Sequence, residues 1–223
     1  MTRLSTRFGT CAAIELVAAD VDRALAALPP VEQALAAAIA PARRTEWIAG
    51  RTALRAVLVE HAPELAGHPV TSDDRGATVL PAGWVGSISH KHPRGDAMGA
   101  TRAVAIVAPA SAGFIGVDLE RTEPSRVDIA RRVLTERERA RGDGQPIDGS
   151  QVMLRFAIKE AIYKAIDPIV RRYVGFTEVE LDVGADGSCI AVPVDPARLP
   201  VVIEAAWQTH AGHWLATARA RPR

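Results

Sequence analysis

The chain contains few cysteines and no long apolar run, and both absences narrow the kind of protein it encodes. Only Cys11 and Cys189 occur among 223 residues, and they lie far apart without companions at metal-ligand spacing. We therefore expect two free thiols in a cytoplasmic protein. No apolar stretch approaches the length needed to cross a bilayer, and the N-terminal residues lack a secretory pattern.

An excess of charge of one sign is also absent. The 27 Lys and Arg residues nearly balance the 26 Asp and Glu residues, which leaves a net charge of +1 at pH 7. This balance does not favour nucleic acid or an anionic membrane as a partner. Neither GxxxxGK[ST] nor GxGxxG occurs in the sequence, which argues against an enzyme that binds nucleoside triphosphates through a glycine-rich loop.

The apolar periodicity that is present predicts an α+β fold. We expect helices over residues 20–28, 30–39, 41–60 and 125–140. A further helix begins near Ser150, which is its predicted N-cap. We expect strands over residues 11–18, 84–90, 102–108, 114–120, 175–183, 199–208 and 213–220. Residues 63–83 read mostly as loop. Because the final strands follow one another through short turns, antiparallel sheets are favoured over βαβ units. We expect two pseudo-symmetric halves, 1–109 and 110–223, each a small antiparallel sheet with packed helices.

The segment RFAIKEAIYKAI, residues 155–166, has one apolar and one polar face when it is drawn as a helix. Lys159, Glu160, Tyr163 and Lys164 share the polar face. A solvated surface helix with a Glu160–Lys164 pair would explain this pattern. A functional interpretation needs a second element.

GVDLE, residues 116–120, supplies that element. Residues two apart share a face of a strand, so Asp118 and Glu120 project together. They repel each other unless a cation lies between them, although an exposed edge strand could carry the same charges to discourage pairing. With Glu160 opposite, the three carboxylates would form an all-oxygen site that suits Mg²⁺ or Mn²⁺ better than zinc. Lys159 and Lys164 beside such a site suggest that a bridging anion binds there, with a pyrophosphate as the obvious candidate.

These two motifs in this order resemble the paired signature of the 4′-phosphopantetheinyl transferases, in the subgroup that activates siderophore, nonribosomal peptide and polyketide synthases. The positions that match the second motif are Phe156, Lys159, Glu160, Ala161, Lys164 and Ala165. Upstream, RRTEWIAGRTALRAVL (43–58) is similar to the arginine helix of the family, and GSISH (86–90) to its Ser-His element. Asp167 departs from the family, in which an aromatic residue often precedes the proline.

The resemblance implies a reaction and a site. The 4′-phosphopantetheine arm of coenzyme A would pass to a serine of an apo acyl or peptidyl carrier protein, releasing adenosine 3′,5′-bisphosphate, in a cleft between the two halves. Asp118, Glu120 and Glu160 would hold Mg²⁺ (or Mn²⁺), with Glu160 also the general base. Lys159 and Lys164 would contact the pyrophosphate, and Lys164 would stabilise the leaving group.

The resemblance also assigns the nucleotide end of coenzyme A to the first half. Arg43 and Arg51 match the arginines for the 3′-phosphate, with Arg44 able to replace Arg43, and Ser89, His90 and Arg75 match further phosphate or adenine contacts. A basic surface helix and a structural histidine would explain the same residues without a ligand. His90 and His92 form a His-x-His pair, but the sequence shows no third ligand, so we do not expect zinc.

The segment 125–142 contains six arginines, at positions 126, 131, 132, 137, 139 and 141. In the family this region helps to receive the carrier protein, and basic residues would steer an acidic carrier. A solvated helix of mixed charge remains an alternative, and the interleaved glutamates argue against a nucleic-acid recognition helix. We expect a monomer with no nucleic-acid or membrane partner.

Two other functions stay open at this stage. One is a noncatalytic coenzyme A-binding scaffold or sensor of the same fold, and the other is a different Mg²⁺-dependent phosphotransferase. The intact set of Asp118, Glu120, Glu160 and Lys164 argues against the scaffold, because such a protein has no need of metal ligands.

Overall fold

Two antiparallel sheets, each packed against one long helix, organise the chain. The computed structural model describes residues 1–92, 99–140 and 147–223. It forms two compact units, Met1–Ala112 and Gly113–Arg223, which we call unit 1 and unit 2. The α+β class expected from the apolar periodicity is confirmed.

Unit 1 contains a four-stranded antiparallel sheet and a separate two-stranded hairpin. The sheet has the order β1–β2–β6–β5 and the hairpin joins β3 to β4. The strands are β1 (Thr2–Thr6), β2 (Gly9–Leu16), β3 (Thr71–Ser72), β4 (Thr78–Val79), β5 (Trp84–Lys91) and β6 (Thr101–Pro109), and the helices are α1 (Val21–Ala26), α2 (Pro30–Ala38) and α3 (Pro41–His61). Helix α3 places Ile48, Leu54 and Leu58 in the core, where none of them is exposed.

Unit 2 contains a five-stranded antiparallel sheet of order β7–β11–β10–β9–β8. The strands are β7 (Phe114–Arg121), β8 (Val179–Val183), β9 (Ser188–Pro193), β10 (Val201–His210) and β11 (His213–Pro222), and the helices are α4 (Ala130–Val133), α5 (Glu136–Ala140) and α6 (Gly149–Val170). The predicted apolar face of α6 is confirmed, because Ile158, Ile162 and Ile166 are all buried in the core of this unit.

The predicted continuous helix over 125–140 is wrong. Helix α4 ends at Leu134, which is extended, and Thr135 then starts α5 with a capping box. The Glu138 amide donates to Thr135 Oγ1 over 3.1 Å and the Thr135 amide donates to a Glu138 carboxylate oxygen over 2.7 Å. This reciprocal capping begins a new helix, and the sequence TERE already carried its signature.

The structure also differs from the predicted elements at the start of α6 and in several strands. Asp148, rather than the predicted Ser150, caps α6, because its carboxylate accepts the Ser150 amide over 3.0 Å. The periodicity did not identify β1 or β9, or the short hairpin inside the predicted loop. In the described ranges, no helix is both long and apolar enough to span a membrane.

Candidate functional site

Strand β7 carries the two predicted carboxylates on the face that packs against α6. The strand approaches the helix so closely that a Cβ on Gly116 would lie 1.9 Å from the Ala161 carbonyl oxygen. Only glycine fits there, which explains the first residue of GVDLE. Asp118 and Glu120 are 5% and 7% exposed, so this edge strand does not carry them as solvated charges.

Lys164 of α6 connects the two motifs directly. Its Nζ donates to Asp118 Oδ1 over 2.8 Å and to the Val117 carbonyl over 2.9 Å. The Lys164 side chain is 28% exposed, whereas that of Asp118 is 7% exposed. Lys164 therefore contacts a buried carboxylate and remains partly accessible to solvent. Glu160 is half-buried and lies one helical turn before Lys164, which puts the two on one face of α6.

The metal assignment stays a prediction. Within the described part of the chain, no three His, Cys, Asp or Glu side chains converge closely enough to form a ready metal site. The donor chemistry nevertheless fits a hard cation, because Asp118 and Glu120 are buried carboxylates that share one strand face, and oxygen is the ligand that Mg²⁺ and Mn²⁺ prefer.

Lys159 is buried, although the helical wheel predicts it on the polar face. It is 3% exposed, and its Nζ donates to Glu138 over 2.7 Å and to the Val133 carbonyl over 2.8 Å. Burial lowers the pKa of Lys159, while the hydrogen bond to Glu138 opposes that change. The other Glu138 oxygen accepts the Leu181 amide over 2.8 Å. The predicted pyrophosphate contact of Lys159 is therefore not prepared in this structure and stays a prediction.

The predicted ligands on the arginine helix of unit 1 differ in their exposure. Arg51 is 4% exposed; its guanidinium lies 4.9 Å from the centre of the Trp47 ring and donates to Thr71 and Ser72. Burial lowers the pKa of Arg51. Arg44 donates to carbonyls at the end of α2, whereas Arg43 is exposed. Of the two candidates for the 3′-phosphate, Arg43 is thus the more accessible.

The Ser-His element lies on β5. Ser89 is buried, and His90 keeps 33% side-chain exposure with its Nδ1 3.5 Å from a Glu46 carboxylate oxygen. His92 Nδ1 lies 3.7 Å from the other Glu46 oxygen. Glu46, which the sequence motifs did not single out, therefore provides negative charge beside both histidines.

Arg75 lies exposed at the tip of the β3–β4 hairpin. The Asp73 carboxylate accepts the backbone amides of Arg75 and Ala77, each over 2.9 Å. Gly76 follows with a φ of +84°, a conformation that glycine adopts without strain. The tip is thus a well-defined turn that displays one cation.

The arginine-rich segment of unit 2 borders a cavity of about 330 Å³. Val127, Ile129, Arg131 and Arg139 are among the residues that line it, and Val127 is 69% exposed. Arg139 donates to the Leu134 carbonyl over 2.7 Å, which holds it against the chain. The predicted contributor Arg141 lies outside the described residues.

Two family models divide the chain between them. The 4′-phosphopantetheinyl transferase N-terminal domain matches residues 31–108, and the 4′-phosphopantetheinyl transferase superfamily domain matches residues 114–218. The chain belongs to the 4′-phosphopantetheinyl transferase superfamily. All ten predicted site residues fall inside the two matched ranges of this superfamily.

Individual members show how far the likeness extends. The 4′-phosphopantetheinyl transferase Npt of Nocardia iowensis is 31% identical over 156 residues, which cover 68% of this chain and 64% of that protein. The solved ACPS–CoA complex of Chronobacterium ammoniagenes is 19% identical with a TM-score of 0.38, covering 49% of this chain and 97% of the other. The holo-(acyl-carrier-protein) synthase of Bacillus anthracis, solved with CoA (3′,5′-ADP), is 23% identical with a TM-score of 0.38, covering 49% and 96%.

In this superfamily member, the residues that motif reasoning missed are the acidic partners of basic side chains. Glu32 receives Arg55, Glu138 receives Lys159, and Glu46 lies beside His90. Only Glu138 had a local signal, the capping box. The other two lie far along the chain from their partners or on a different element, so no short motif could reveal them.

Proposed function

We propose that this protein transfers the 4′-phosphopantetheine arm of coenzyme A to a serine of an apo acyl or peptidyl carrier protein. Superfamily membership and the name of the Nocardia relative support this activity. The contact between Lys164 and Asp118 carries the proposal, because it joins the two motifs into one group of side chains.

The chemistry follows from the charges at this contact. The serine oxygen bonds to the phosphorus that carries the pantetheine arm, and the bond from that phosphorus to the bridging oxygen breaks. The bridging oxygen leaves as part of adenosine 3′,5′-bisphosphate, and Glu160 accepts the serine proton. Lys164, partly exposed, neutralises the negative charge that grows on the leaving group.

Asp118, Glu120 and Glu160 would hold the Mg²⁺ ion. When bound, the ion would neutralise the pyrophosphate and orient it for attack. Lys164 then has a second role in this chain, since its ammonium donates to the buried Asp118 carboxylate and holds it toward α6.

Residues of unit 1 would bind the nucleotide end of coenzyme A. We assign the 3′-phosphate and adenine to Arg43, Arg75, Ser89 and His90. The carboxylate of Glu46, 3.5 Å from His90 Nδ1, would hold the imidazole ring in place for such a contact. Arg51 belongs to the same group of predicted residues, and its contact with the 3′-phosphate stays a prediction.

The cavity beside α4 and α5 would receive the carrier protein. Its lining combines apolar side chains with the cations of Arg131 and Arg139. Such a surface suits a carrier that is acidic around its serine, since complementary charge accelerates encounter.

Mass spectrometry of a panel of apo carrier proteins tests the proposal. With Mg²⁺ and coenzyme A, we expect one carrier to gain the mass of a single phosphopantetheine. Asp118→Ala and Glu160→Gln should each lower the rate by more than about 100-fold. Asp22→Asn, at an exposed position of α1, is the matched control and should keep the wild-type rate.

Two results would reject parts of the proposal. If no carrier is modified while coenzyme A still binds, the noncatalytic scaffold replaces the transferase. If Glu160→Gln keeps its rate, Glu160 is neither the base nor a metal ligand.

A further inference from the structure

The outer face of the unit 2 sheet exposes apolar side chains where a solvated sheet face ordinarily carries polar ones. Ile190 and Val192 of β9 are 66% and 46% exposed, and Val202 of β10 is 45% exposed. Their chain neighbours Cys189 and Ala205 are buried on the opposite face, in the core that includes α6. Single exposed apolar residues are common, but three on two neighbouring strands form an apolar patch.

Acidic side chains border this apolar patch on one side. In β8, Asp182 pairs with Ile190 and Glu180 pairs with Val192. Paired residues of neighbouring strands share a face of the sheet, so both carboxylates lie beside the patch, and we call them the acidic edge. The guanidinium of Arg137 lies 3.0 Å from Glu180, which leaves one uncompensated negative charge among these three side chains.

Basic side chains border the apolar patch on the other side. In β11, Arg221 pairs with Val202 and Arg219 pairs with Glu204, and we call the two arginines the basic edge. Glu204 accepts from both, over 2.6 Å from Arg219 and 3.2 Å from Arg221. Two guanidiniums beside one carboxylate leave one uncompensated positive charge, and the Arg221 side chain is 50% exposed.

We propose that a second copy of this chain packs on this face, so that the two apolar patches meet and the acidic edge of each copy lies against the basic edge of the other. A twofold axis parallel to the strands, between β9 and β10, produces this arrangement because it places β8 of one copy over β11 of the other. The pairing of Cys189 with Ala205 sets both edges at the same height along the strands, and the rotation preserves that height. The surface is therefore complementary to itself in charge as well as in apolar character.

The size of the face predicts a weak dimer. Four strands about 4.8 Å apart, each contributing about 15 Å of its length, present a flat area of roughly 300 Å². The relief of the side chains raises the buried surface to roughly 500 Å² per copy, which is at the low end for a specific interface. We therefore expect a dissociation constant of about 10–100 µM. Below that concentration the protein is the monomer expected from its sequence.

The candidate site lies on the opposite face of the same sheet. Helix α6 packs through Ile158 and Ile162 on the face that holds Cys189 and Ala205, and Asp118 is bonded to Lys164 of that helix. The dimer therefore leaves this group of side chains open, and it does not depend on the proposed transfer reaction.

Sedimentation velocity between about 1 and 300 µM tests the proposal, and we expect the wild type to change from monomer to dimer across this range. Ile190→Ser removes the most exposed side chain of the apolar patch from both copies and should weaken the dimer at least about 10-fold. Val31→Ser is the matched control, since Val31 of α2 is 51% exposed in unit 1, and it should leave the dimer unchanged. Circular dichroism verifies that each variant folds, and Val202→Ser, with the same expected result, replaces Ile190→Ser if that protein does not.

An exchange of charges tests whether the two edges meet. Asp182→Arg and Arg221→Glu should each weaken self-association at least about 10-fold, because each places like charges across the interface twice. A mixture of the two variants should form a mixed dimer within about threefold of the wild-type affinity, since each changed side chain then meets an opposite charge. Fluorescence-detected sedimentation of one variant, labelled at its N-terminal amine, measures the mixed dimer. Asp22→Arg, at an exposed position of α1, is the control and should leave self-association unchanged.

Three results would overturn the proposal. A wild type that stays monomeric at about 300 µM has no such interface. A dimer that survives both Ile190→Ser and Asp182→Arg uses another surface of the chain. A mixture of the two charge variants that associates no more tightly than either variant alone would show that the edges do not meet.

The proposed function can fail separately. Ile190→Ser should keep the transfer rate within about twofold of the wild type, because the substitution lies on the face opposite α6. If the dimer forms and no carrier is modified, only the transferase proposal fails. If the arm is transferred and the protein stays monomeric, only the dimer fails.

Discussion

The long helices of the two units place their cations beside different kinds of partner. In unit 1, Arg51 and Arg55 of α3 both donate to backbone carbonyls of the segment that follows α3, and Arg55 also donates to Glu32. In unit 2, Lys159 and Lys164 of α6 each donate to one carboxylate and one carbonyl. The planar arginine fork suits a fixed scaffold, whereas a single ammonium can exchange one oxygen for another.

Exposure separates the two lysines of unit 2. The Lys159 and Glu138 side chains are 2% and 1% exposed, whereas Lys164 keeps 28%. A fully buried pair fixes structure, and a partly exposed one can meet a substrate. The same motif therefore contains one fully buried cation and one that keeps access to solvent. The following predictions test this division, from the largest effect to the smallest.

Lys159→Met should cost about 3–5 kcal/mol of the free energy of unfolding, because it leaves the buried Glu138 carboxylate without its cation. Urea unfolding measures the loss. Burial raises the pKa of Cys189 to about 12, so its thiol should react with a thiol reagent at pH 8 only when unit 2 opens. Faster labelling of Cys189 than of Cys11 would show that unit 2 is the destabilised unit. A decrease of less than about 1 kcal/mol in the free energy of unfolding would contradict the buried-pair interpretation.

Glu32→Ala should cost about 2–4 kcal/mol, because Arg55 keeps its two carbonyl acceptors but loses its counter-ion. Here Cys11, whose pKa burial also raises to about 12, should become reactive before Cys189. Glu15→Ala is the control, since the Glu15–Arg102 pair is exposed and should contribute less than about 1 kcal/mol. Equal labelling of both thiols would mean that the units do not open separately.

Gly116→Ala should cost about 1–3 kcal/mol and lower transfer activity, because the added methyl group forces β7 away from Ala161 and separates Asp118 from Lys164. Thermal unfolding and the carrier assay measure the two effects. Gly67→Ala is the control, since a Cβ there meets nothing within 4 Å. An active, stable Gly116→Ala protein would show that the close approach is unnecessary.

Lys164→Met should cost about 1–2 kcal/mol in stability, less than Lys159→Met, because water can enter the place of the partly exposed ammonium beside Asp118. Transfer activity should nevertheless fall by more than about 100-fold. Comparing the stability and activity of this variant with those of Lys159→Met tests whether the two lysines have different roles. A stability loss equal to that of Lys159→Met would reject it.

Glu178→Gln should have the smallest effect, and that effect should depend on pH. Hydrogen bonding from Arg172 lowers the pKa of Glu178 below its usual 4.5. The carboxylate therefore adds stability that is fully present above pH 4.5 and is lost as the pH falls through the lowered pKa. The difference between wild type and variant should be under about 0.5 kcal/mol at pH 7, and urea unfolding at pH 7 and pH 3 measures it. A difference that grows in acid would contradict this sign.

Local patterns predicted the parts of the fold that depend on neighbouring residues. The apolar faces of α3 and α6, the β7 strand and the shared face of Asp118 and Glu120 all followed from periodicity. The break at Leu134 was readable from the TERE capping box but was overridden by the apolar spacing of the segment. Strands β1 and β9 were missed because polar and apolar residues do not follow their exposed and buried faces. In β9, Ile190 and Val192 are exposed, whereas Cys189 and Ala191 are buried.

The sequence by itself determined which residues are candidates for the chemistry and which helix and strand present them, because helical and strand periods are local properties. Only the tertiary structure decided which cations are buried and which stay accessible. Lys159 and Arg51 occupy motif positions, yet Glu138, Thr71 and Ser72 reach them from other elements. A charge can be buried only when such partners satisfy it, and short-range spacing does not reveal partners that the fold brings from elsewhere in the chain.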